Sequence, residues 1–269
     1  MAQDRGVAKF MLYSIPSMKH HILLMICYIA CICFLNAESV NEWNSKSKAE
    51  TDEERWNEAV GLKNLSSQPS LTYFNPNPAL PDVLIIGDSI SMGYTPVVRK
   101  LLAAKANIYR IPANGMWTSN ILAKTPYWFQ VIGKQHFKVI VFNSGLHDIT
   151  RIVNGQYDAS GSTNHIPLSS YTANLDKLVD LLQPHTDILI WASTTSVPVG
   201  AKGRKAGDEI VYNDAASGIM NKRKVPIIDL YAVSLKAASL HMDPTNVHYT
   251  TAGYELLGSE VAKQVLEHL

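Results

Sequence analysis

Short apolar runs alternate with amphipathic stretches along the chain from Asp82 to the C-terminus. The runs are rich in Val and Ile and are bounded by polar residues, Pro or Gly, which is typical of strands buried on both faces. The stretches between them repeat apolar positions at helical spacing. This alternation predicts an α/β fold in which helices cover both faces of a parallel sheet. The strands are predicted at Val83–Ile86, Ile108–Ile111, Val139–Asn143, Ile188–Ala192 and Pro226–Asp229, and the helices at Val97–Lys105, Leu168–Leu182, Glu209–Asn221 and Tyr254–His268.

A separate apolar run occupies residues 22–35, with Lys19-His20-His21 before it and Leu35-Asn36-Ala37 at its end. A basic, an apolar and a small-residue segment in this order are typical of a secretory signal peptide. We therefore predict a signal peptide over residues 1–37, cleaved after Ala37, and an exported protein, periplasmic or secreted. The alternatives are an uncleaved membrane anchor through residues 22–35 and a lipid-modified Cys31, although the run is short for a membrane span.

Residues 38–81 are polar and then rich in Pro, Asn and Ser. This composition predicts a linker, or a segment that wraps around the following domain. Its aromatic residues, Trp43, Trp56 and Tyr73, would then dock on the domain surface or face a partner. Roughly 200 residues remain after the N-terminal region, enough for one well-buried core. We predict a single folded domain over residues 82–269, with no stable membrane span after signal cleavage.

Composition narrows the classes of function. The formal net charge is +1 and the two signs are mixed along the chain, so there is no electrostatic footprint for nucleic acid. Cys27, Cys31 and Cys33 all lie in the N-terminal apolar run, which excludes a thiol nucleophile or thiolate metal site from the predicted mature chain. The domain's histidines lack the paired helical spacing of metal ligands. We expect no cofactor, no metal and no nucleic-acid partner.

The candidate chemistry begins at Gly87-Asp88-Ser89, directly after the first predicted strand. Open α/β sheets bind ligands beyond the C-terminal ends of their strands, so Ser89 is the best candidate for a nucleophile. The competing interpretation is an ordinary turn followed by a helix N-cap. His248, in the loop before the last predicted helix, is a candidate for the base that a serine nucleophile needs. A single loop histidine is otherwise more often a solvated side chain.

Two further loops follow predicted strands. Asn114-Gly115 follows the second strand, and glycine allows a backbone N–H to approach a ligand closely. Asn143-Ser144-Gly145-Leu146-His147-Asp148 follows the third. Four strand-end loops that carry groups suited to acyl transfer favour a catalytic site over a purely structural domain.

These blocks resemble those of the SGNH, or GDSL-type, hydrolase family, and the resemblance runs from about Asp82 to the C-terminus. It implies a three-layer α/β/α sandwich with a flavodoxin-like parallel sheet of five strands. It also implies an oxyanion hole formed by the N–H groups of Ser89 and Gly115 and by the third-block residue at position 147. The family's third block usually reads Gly-x-Asn-Asp and its last block Asp-x-x-His.

This chain departs from both patterns. His147 stands where the family has the asparagine that donates its amide to the oxyanion, and a ring N–H of His147 could take that role. Thr245 stands where the family has the aspartate that orients the histidine. We consider two replacements: Asp243, two residues earlier, or a Ser-His pair oriented by a backbone carbonyl.

The sequence therefore predicts an exported serine esterase that hydrolyses carboxylic esters through an acyl-enzyme. Its substrate would be an O-acyl carbohydrate, a lysophospholipid or a related acyl ester such as a thioester. The alternative is a non-catalytic module that binds acylated glycans on the same fold. The insertion at residues 151–167 follows the third block and is expected to border the pocket.

Overall fold

The structure is a computed structural model that describes residues 51–61, 64 and 67–269. One compact unit spans Asp52–Leu269. The predicted signal peptide, the alternative anchor at residues 22–35 and all three cysteines lie outside the described residues. No helix in the described part of the chain is long and apolar enough to cross a membrane.

The main sheet has five strands, all parallel, in the order β2-β1-β3-β6-β7. The predicted flavodoxin-like sheet is thus confirmed. Strand β1, which lies between β2 and β3, pairs Leu84 with Tyr109 on one side and with Ile140 on the other. A short antiparallel hairpin, β4-β5, lies within the insertion at residues 151–167. The strands are β1 (Asp82–Ile86), β2 (Asn107–Arg110), β3 (Phe137–Phe142), β4 (Ile152–Val153), β5 (Gln156–Tyr157), β6 (Thr186–Ala192) and β7 (Ile227–Ile228).

Helices cover both faces of this sheet, as the alternating pattern predicted. The chain moves one way from β1 to β2 and the other way through β3, β6 and β7, so right-handed crossovers place the connecting helices on opposite faces. One layer contains α2 packed on α7, and the other contains α3, α4 and α5 in a row. The helices are α1 (Asp52–Val60), α2 (Ser89–Leu102), α3 (Thr118–Ile132), α4 (Leu168–Leu182), α5 (Asp208–Lys222), α6 (Leu230–Lys236) and α7 (Thr251–Leu266).

Two helices that the sequence pattern missed, one in part and one entirely, each contain an internal proline. α2 begins at Ser89, whereas the sequence pattern predicted a start at Val97, directly after Pro96. α3 was not predicted at all, and it contains Pro126. Proline removes a backbone donor and normally interrupts a helix, so both positions resemble helix ends in the sequence.

The predicted domain boundary at residue 82 lies inside the compact unit. Residues 52–81, here called the arm, contribute helix α1, which packs against α3. Trp56 is 5% exposed and its indole N–H donates to the carbonyl of Leu71 at 2.7 Å. Val60 and Leu71 are buried in the same core as the sheet. The arm therefore wraps around the domain and is not a free linker over this range.

Trp56→Ala should lower the free energy of unfolding by about 3–5 kcal/mol, because it leaves a large cavity under the arm. Urea denaturation of the purified protein measures this change. Glu58→Ala, an exposed position on the same helix, is the control and should change stability by no more than about 0.5 kcal/mol. Equal stability of the two variants would mean that the arm unfolds independently of the sheet.

Candidate active site

Ser89 is the first residue of α2 and directly follows the turn at the end of β1. Asp88 caps the helix, since its side chain accepts the N–H of Ile90 at 2.9 Å. The Ser89 Oγ lies 2.8 Å from Nε2 of His248. The two side chains that sequence reasoning selected, 159 positions apart, are therefore within hydrogen-bonding distance.

A buried arginine holds the turn that carries Ser89. The Nη2 group of Arg110 donates to the carbonyl oxygens of Gly87 and Asp88, both at 2.9 Å, and to the Ser91 Oγ at 2.7 Å. Its Nη1 group donates to the carbonyls of Ile111 and Ala113 at 3.1 and 2.6 Å. Arg110 is fully buried, and this burial lowers its pKa. Sequence reasoning missed this residue, although a charged side chain inside an apolar strand was the available signal.

The orienting partner of His248 is Asn246. Its Oδ1 accepts the backbone N–H of His248 at 3.0 Å and lies 2.9 Å from His248 Nδ1. The backbone contact identifies this atom as the acceptor oxygen, so Nδ1 carries the ring proton. Nε2 is then left with its lone pair towards the Ser89 hydroxyl, which is the tautomer that a general base requires.

Asp243 does not contact His248, so its predicted orienting role is wrong in this structure. Its Oδ1 accepts the backbone N–H and the hydroxyl of Thr245, both at 2.9 Å, and its side chain is exposed. These hydrogen bonds lower the pKa of Asp243. The carboxylate of Asp243 therefore stabilises the turn before His248. The alternative, in which a backbone carbonyl orients His248, is not found either, since the side-chain amide of Asn246 lies beside Nδ1.

Gly115 also differs from its predicted role. Its N–H donates to the carbonyl of Gly87 at 2.9 Å, so this N–H is engaged between two loops and is not directed at an oxyanion. A Cβ at Gly115 would lie 2.8 Å from the same carbonyl oxygen, which explains why glycine is required there. The left-handed backbone in this loop belongs to Met116, with a φ of 59°. The N–H of Met116 is accepted by the Asn114 side chain at 2.9 Å.

His147 follows β3 in a loop fixed by its neighbour Asp148. The carboxylate of Asp148 accepts the N–H and hydroxyl of Thr118 at 3.0 and 2.6 Å and the Ser144 hydroxyl at 2.7 Å. Burial raises the pKa of Asp148 to about 6. His147 is half-buried, and burial is the largest cause that lowers its pKa. The charge of Asp88 opposes this shift, and the charges of Arg204 and His248 add to it. Its role as an oxyanion donor stays a prediction.

Arg204 is a second residue that sequence reasoning missed. Its guanidinium donates to the carbonyl of Leu146 at 2.7 Å and to that of Lys202 at 3.3 Å. Burial lowers the pKa of His248; the Asp88 charge opposes this effect and the Arg204 charge adds to it. The segment between β6 and α5 thus brings a positive charge towards the Ser89–His248 pair.

Ser89 and His248 open into a cleft of about 540 Å³. This volume lies within the range of small-molecule sites. A smaller cavity of about 220 Å³ lies between the arm, β2 and α3, and neither Ser89 nor His248 lines it. Among the described residues, no group of three or more His, Cys, Asp or Glu side chains is arranged to hold a metal ion.

Comparison with known proteins identifies similar folds. The sequence matches no protein-family model, and no curated protein matches it. The structure resembles a lipase/acylhydrolase from Enterococcus faecalis, at 18% identity and a TM-score of 0.56, over 69% of this chain and 95% of the other. It resembles an acetylxylan esterase from Geobacillus stearothermophilus at 21% identity and a TM-score of 0.55, over 69% and 94%. An alpha/beta hydrolase from the metagenome of Lake Arreo, Spain, is similar at 16% identity and a TM-score of 0.56, over 69% and 96%. The chain therefore shares the fold of these enzymes.

Asn246→Ala should lower kcat for ester hydrolysis by up to about a hundredfold, because the His248 ring loses the contact that fixes its tautomer and orientation. Asp243→Asn retains an acceptor for Thr245 and is the matched control, with an expected change below about threefold. Steady-state kinetics on a nitrophenyl ester compares them. A larger loss from Asp243→Asn than from Asn246→Ala would reverse the assignment of the orienting residue.

The pH dependence should report the environment of His248. The base must be neutral, so kcat/KM falls as pH drops through the pKa of His248, which burial holds below its ordinary value of 6.5. Arg204→Gln removes a positive charge that disfavours the imidazolium, so the acid limb should move to higher pH. Lys205→Gln, an exposed neighbour, is the control and should leave the limb in place. An unchanged limb in Arg204→Gln would show that this charge does not act on the base.

Proposed function

We propose that this protein is an exported serine esterase of the SGNH type that hydrolyses O-acyl carbohydrates through an acyl-enzyme. The observation that carries the proposal is the chain of contacts from Ser89 Oγ to His248 Nε2, at 2.8 Å, and from His248 Nδ1 to Asn246 Oδ1, at 2.9 Å. A hydroxyl, a base and a group that orients the base are the parts that nucleophilic catalysis requires. Export rests on the pattern of residues 1–37.

The reaction follows from these positions. Ser89 Oγ attacks the ester carbonyl while His248 Nε2 takes its proton, which gives a tetrahedral oxyanion and an imidazolium. The imidazolium returns the proton to the alcohol oxygen as the bond between this oxygen and the acyl carbon breaks. Water then attacks the acyl-Ser89 ester as His248 takes one of its protons. The imidazolium returns this proton to Ser89 Oγ as the bond between Oγ and the acyl carbon breaks, which releases the carboxylic acid and regenerates the Ser89 hydroxyl.

The oxyanion needs hydrogen-bond donors, and two groups are proposed. The N–H of Ser89 lies in the first turn of α2, where N–H groups have no acceptor within the helix. The positive end of the helix dipole adds to its effect. The His147 ring is the second proposed donor. The N–H of Gly115 is not included, because it donates to Gly87.

The carbohydrate substrate is supported by the neighbours and by the cleft. One similar structure is named an acetylxylan esterase, and a second acetyl xylan esterase is similar at 15% identity and a TM-score of 0.54. The cleft beside Ser89 is lined by no Asp, Glu, Lys or Arg side chain among the described residues. An uncharged alcohol fits such a lining better than the charged headgroup of a lysophospholipid does, because a buried charge needs a partner.

The test is covalent labelling of Ser89 with a fluorophosphonate probe, followed by hydrolysis of acetyl esters. Ser89→Ala should abolish labelling and lower kcat by at least about a thousandfold, and His248→Ala should lower it by at least about a hundredfold. Ser119→Ala, outside the described contacts of the pair, should behave as wild type. Undiminished labelling of Ser89→Ala by the probe would overturn the assignment of Ser89 as the nucleophile. Binding of an acetylated glycan by the wild-type protein without any hydrolysis would favour the alternative of a non-catalytic binding module.

A further inference from the structure

The arm forms one wall of the cleft that contains Ser89 and His248. The opposite wall comes from α2, from the loop after β2 and from the segment around His248. The arm contributes the lining residues Ala59, Val60, Asn64, Gln68 and Leu71. The rest of the lining consists of Ser89, Met92, Gly93, Pro112, Ala113, Asn114, Met242, His248 and Tyr254. Residues that precede the sheet in sequence thus enclose the space into which the nucleophile opens.

The arm is held in place by hydrogen bonds within itself and to the neighbouring helices. Besides the hydrogen bond from Trp56 to Leu71, the Arg55 guanidinium donates to the carbonyl of Val131 in α3 at 3.1 Å. Arg99 of α2 donates to the carbonyls of Pro69 and Thr72 at 3.5 and 3.4 Å. Both ends of the wall are therefore tied to helices of the domain, and its shape is set before any substrate binds.

The lining of the cleft describes the group that it would hold. Its titratable side chains are His248 and Tyr254, and its other polar side chains are Ser89 and the amides of Asn64, Gln68 and Asn114. Amides beside small apolar surfaces suit a ligand with hydroxyl groups and C–H faces. A hydrocarbon chain would leave these amides without partners, and each unpaired polar group costs free energy.

The position of His248 indicates which part of the ester lies there. In the proposed mechanism His248 returns a proton to the leaving alcohol, so that oxygen must approach Nε2. Since His248 and the arm line the same cleft, this cleft is the space next to Nε2 that the alcohol would enter. An acetyl group is much smaller than the cleft, whereas a sugar ring or two would occupy it.

We infer that the arm is a specificity element: it forms the subsite for the uncharged, hydroxyl-rich alcohol of the ester, with Ala59 in its lining and the Gln68 amide as a hydrogen-bonding group. The inference rests on the proposed function. All five strands of the main sheet lie from Asp82 onwards, so the arm adds no strand to the sheet and instead packs beside it, where it lines the site.

Three substrates separate the two sides of the ester. Methyl acetate is small on both sides, methyl hexanoate has a large acyl group, and an acetylated xylo-oligosaccharide has a large alcohol. Hydrolysis of each is followed by base uptake at constant pH. Ala59→Phe fills the cleft and should lower kcat/KM for the oligosaccharide, relative to methyl acetate, by at least about tenfold. Gln68→Ala should lower the same ratio by about three- to tenfold, for one lost hydrogen bond.

Glu58→Phe places the same aromatic ring on the exposed side of α1 and is the matched control, with an unchanged ratio. Circular dichroism and thermal unfolding establish that Ala59→Phe is folded, and Gln68→Ala tests the subsite without added bulk. A selective loss on methyl hexanoate would mean that the cleft holds the acyl chain, and equal effects on all esters would mean that the arm is not a subsite. Either result overturns this inference while the esterase stands. Failure of the wild type to hydrolyse any of the three esters would overturn the proposed function itself.

Discussion

The candidate site depends on one geometric constraint, that parallel strands end at the same edge of their sheet. The loops after β1, β2 and β3 all leave at this edge, and the segment before α7 returns to it. Ser89 and His248 are 159 positions apart and yet lie within 2.8 Å, because the sheet brings their segments together without any local sequence contact between them. Branched apolar residues form the strands, so the core that stabilises the protein also fixes where its chemistry occurs.

Much of this arrangement could be predicted from the sequence, since it follows from periodicity and from the order of motifs. The strand pattern predicted the sheet, and the position of Ser89 after a buried run identified it as the candidate nucleophile, which the structure places beside His248. The residue that orients His248 could not be found in this way, because Asp243 and Asn246 both lie within five residues of His248 and only the path of the turn decides between them. Gly115 shows the same limit, since a glycine signals a close approach but not which group it approaches. Helix α3 was hidden by Pro126, and the polar composition of the arm concealed the burial of Trp56.

The electrostatics of the pair differ from those of a Ser-His-Asp triad. A neutral amide takes the position of the carboxylate, so it fixes the tautomer of His248 but adds no negative charge to stabilise the imidazolium. The nearby charges are the Asp88 carboxylate, which raises the pKa of His248, and the Arg204 guanidinium, which lowers it. The pKa of His248 is therefore set by its burial and then by charged residues of two other loops, while the orientation of its ring is set within its own loop. Orientation and charge, which one aspartate supplies in a triad, are here carried by separate residues.

The five hydrogen bonds that Arg110 donates affect which substitutions the neighbouring positions can accept. Four of its five acceptors are backbone carbonyl oxygens, and only the Ser91 hydroxyl belongs to a side chain. The guanidinium thus recognises the course of the main chain through the Gly87–Asp88 turn and places little demand on which side chains lie along it. Neighbouring positions are free to diverge as long as the peptide groups keep their directions.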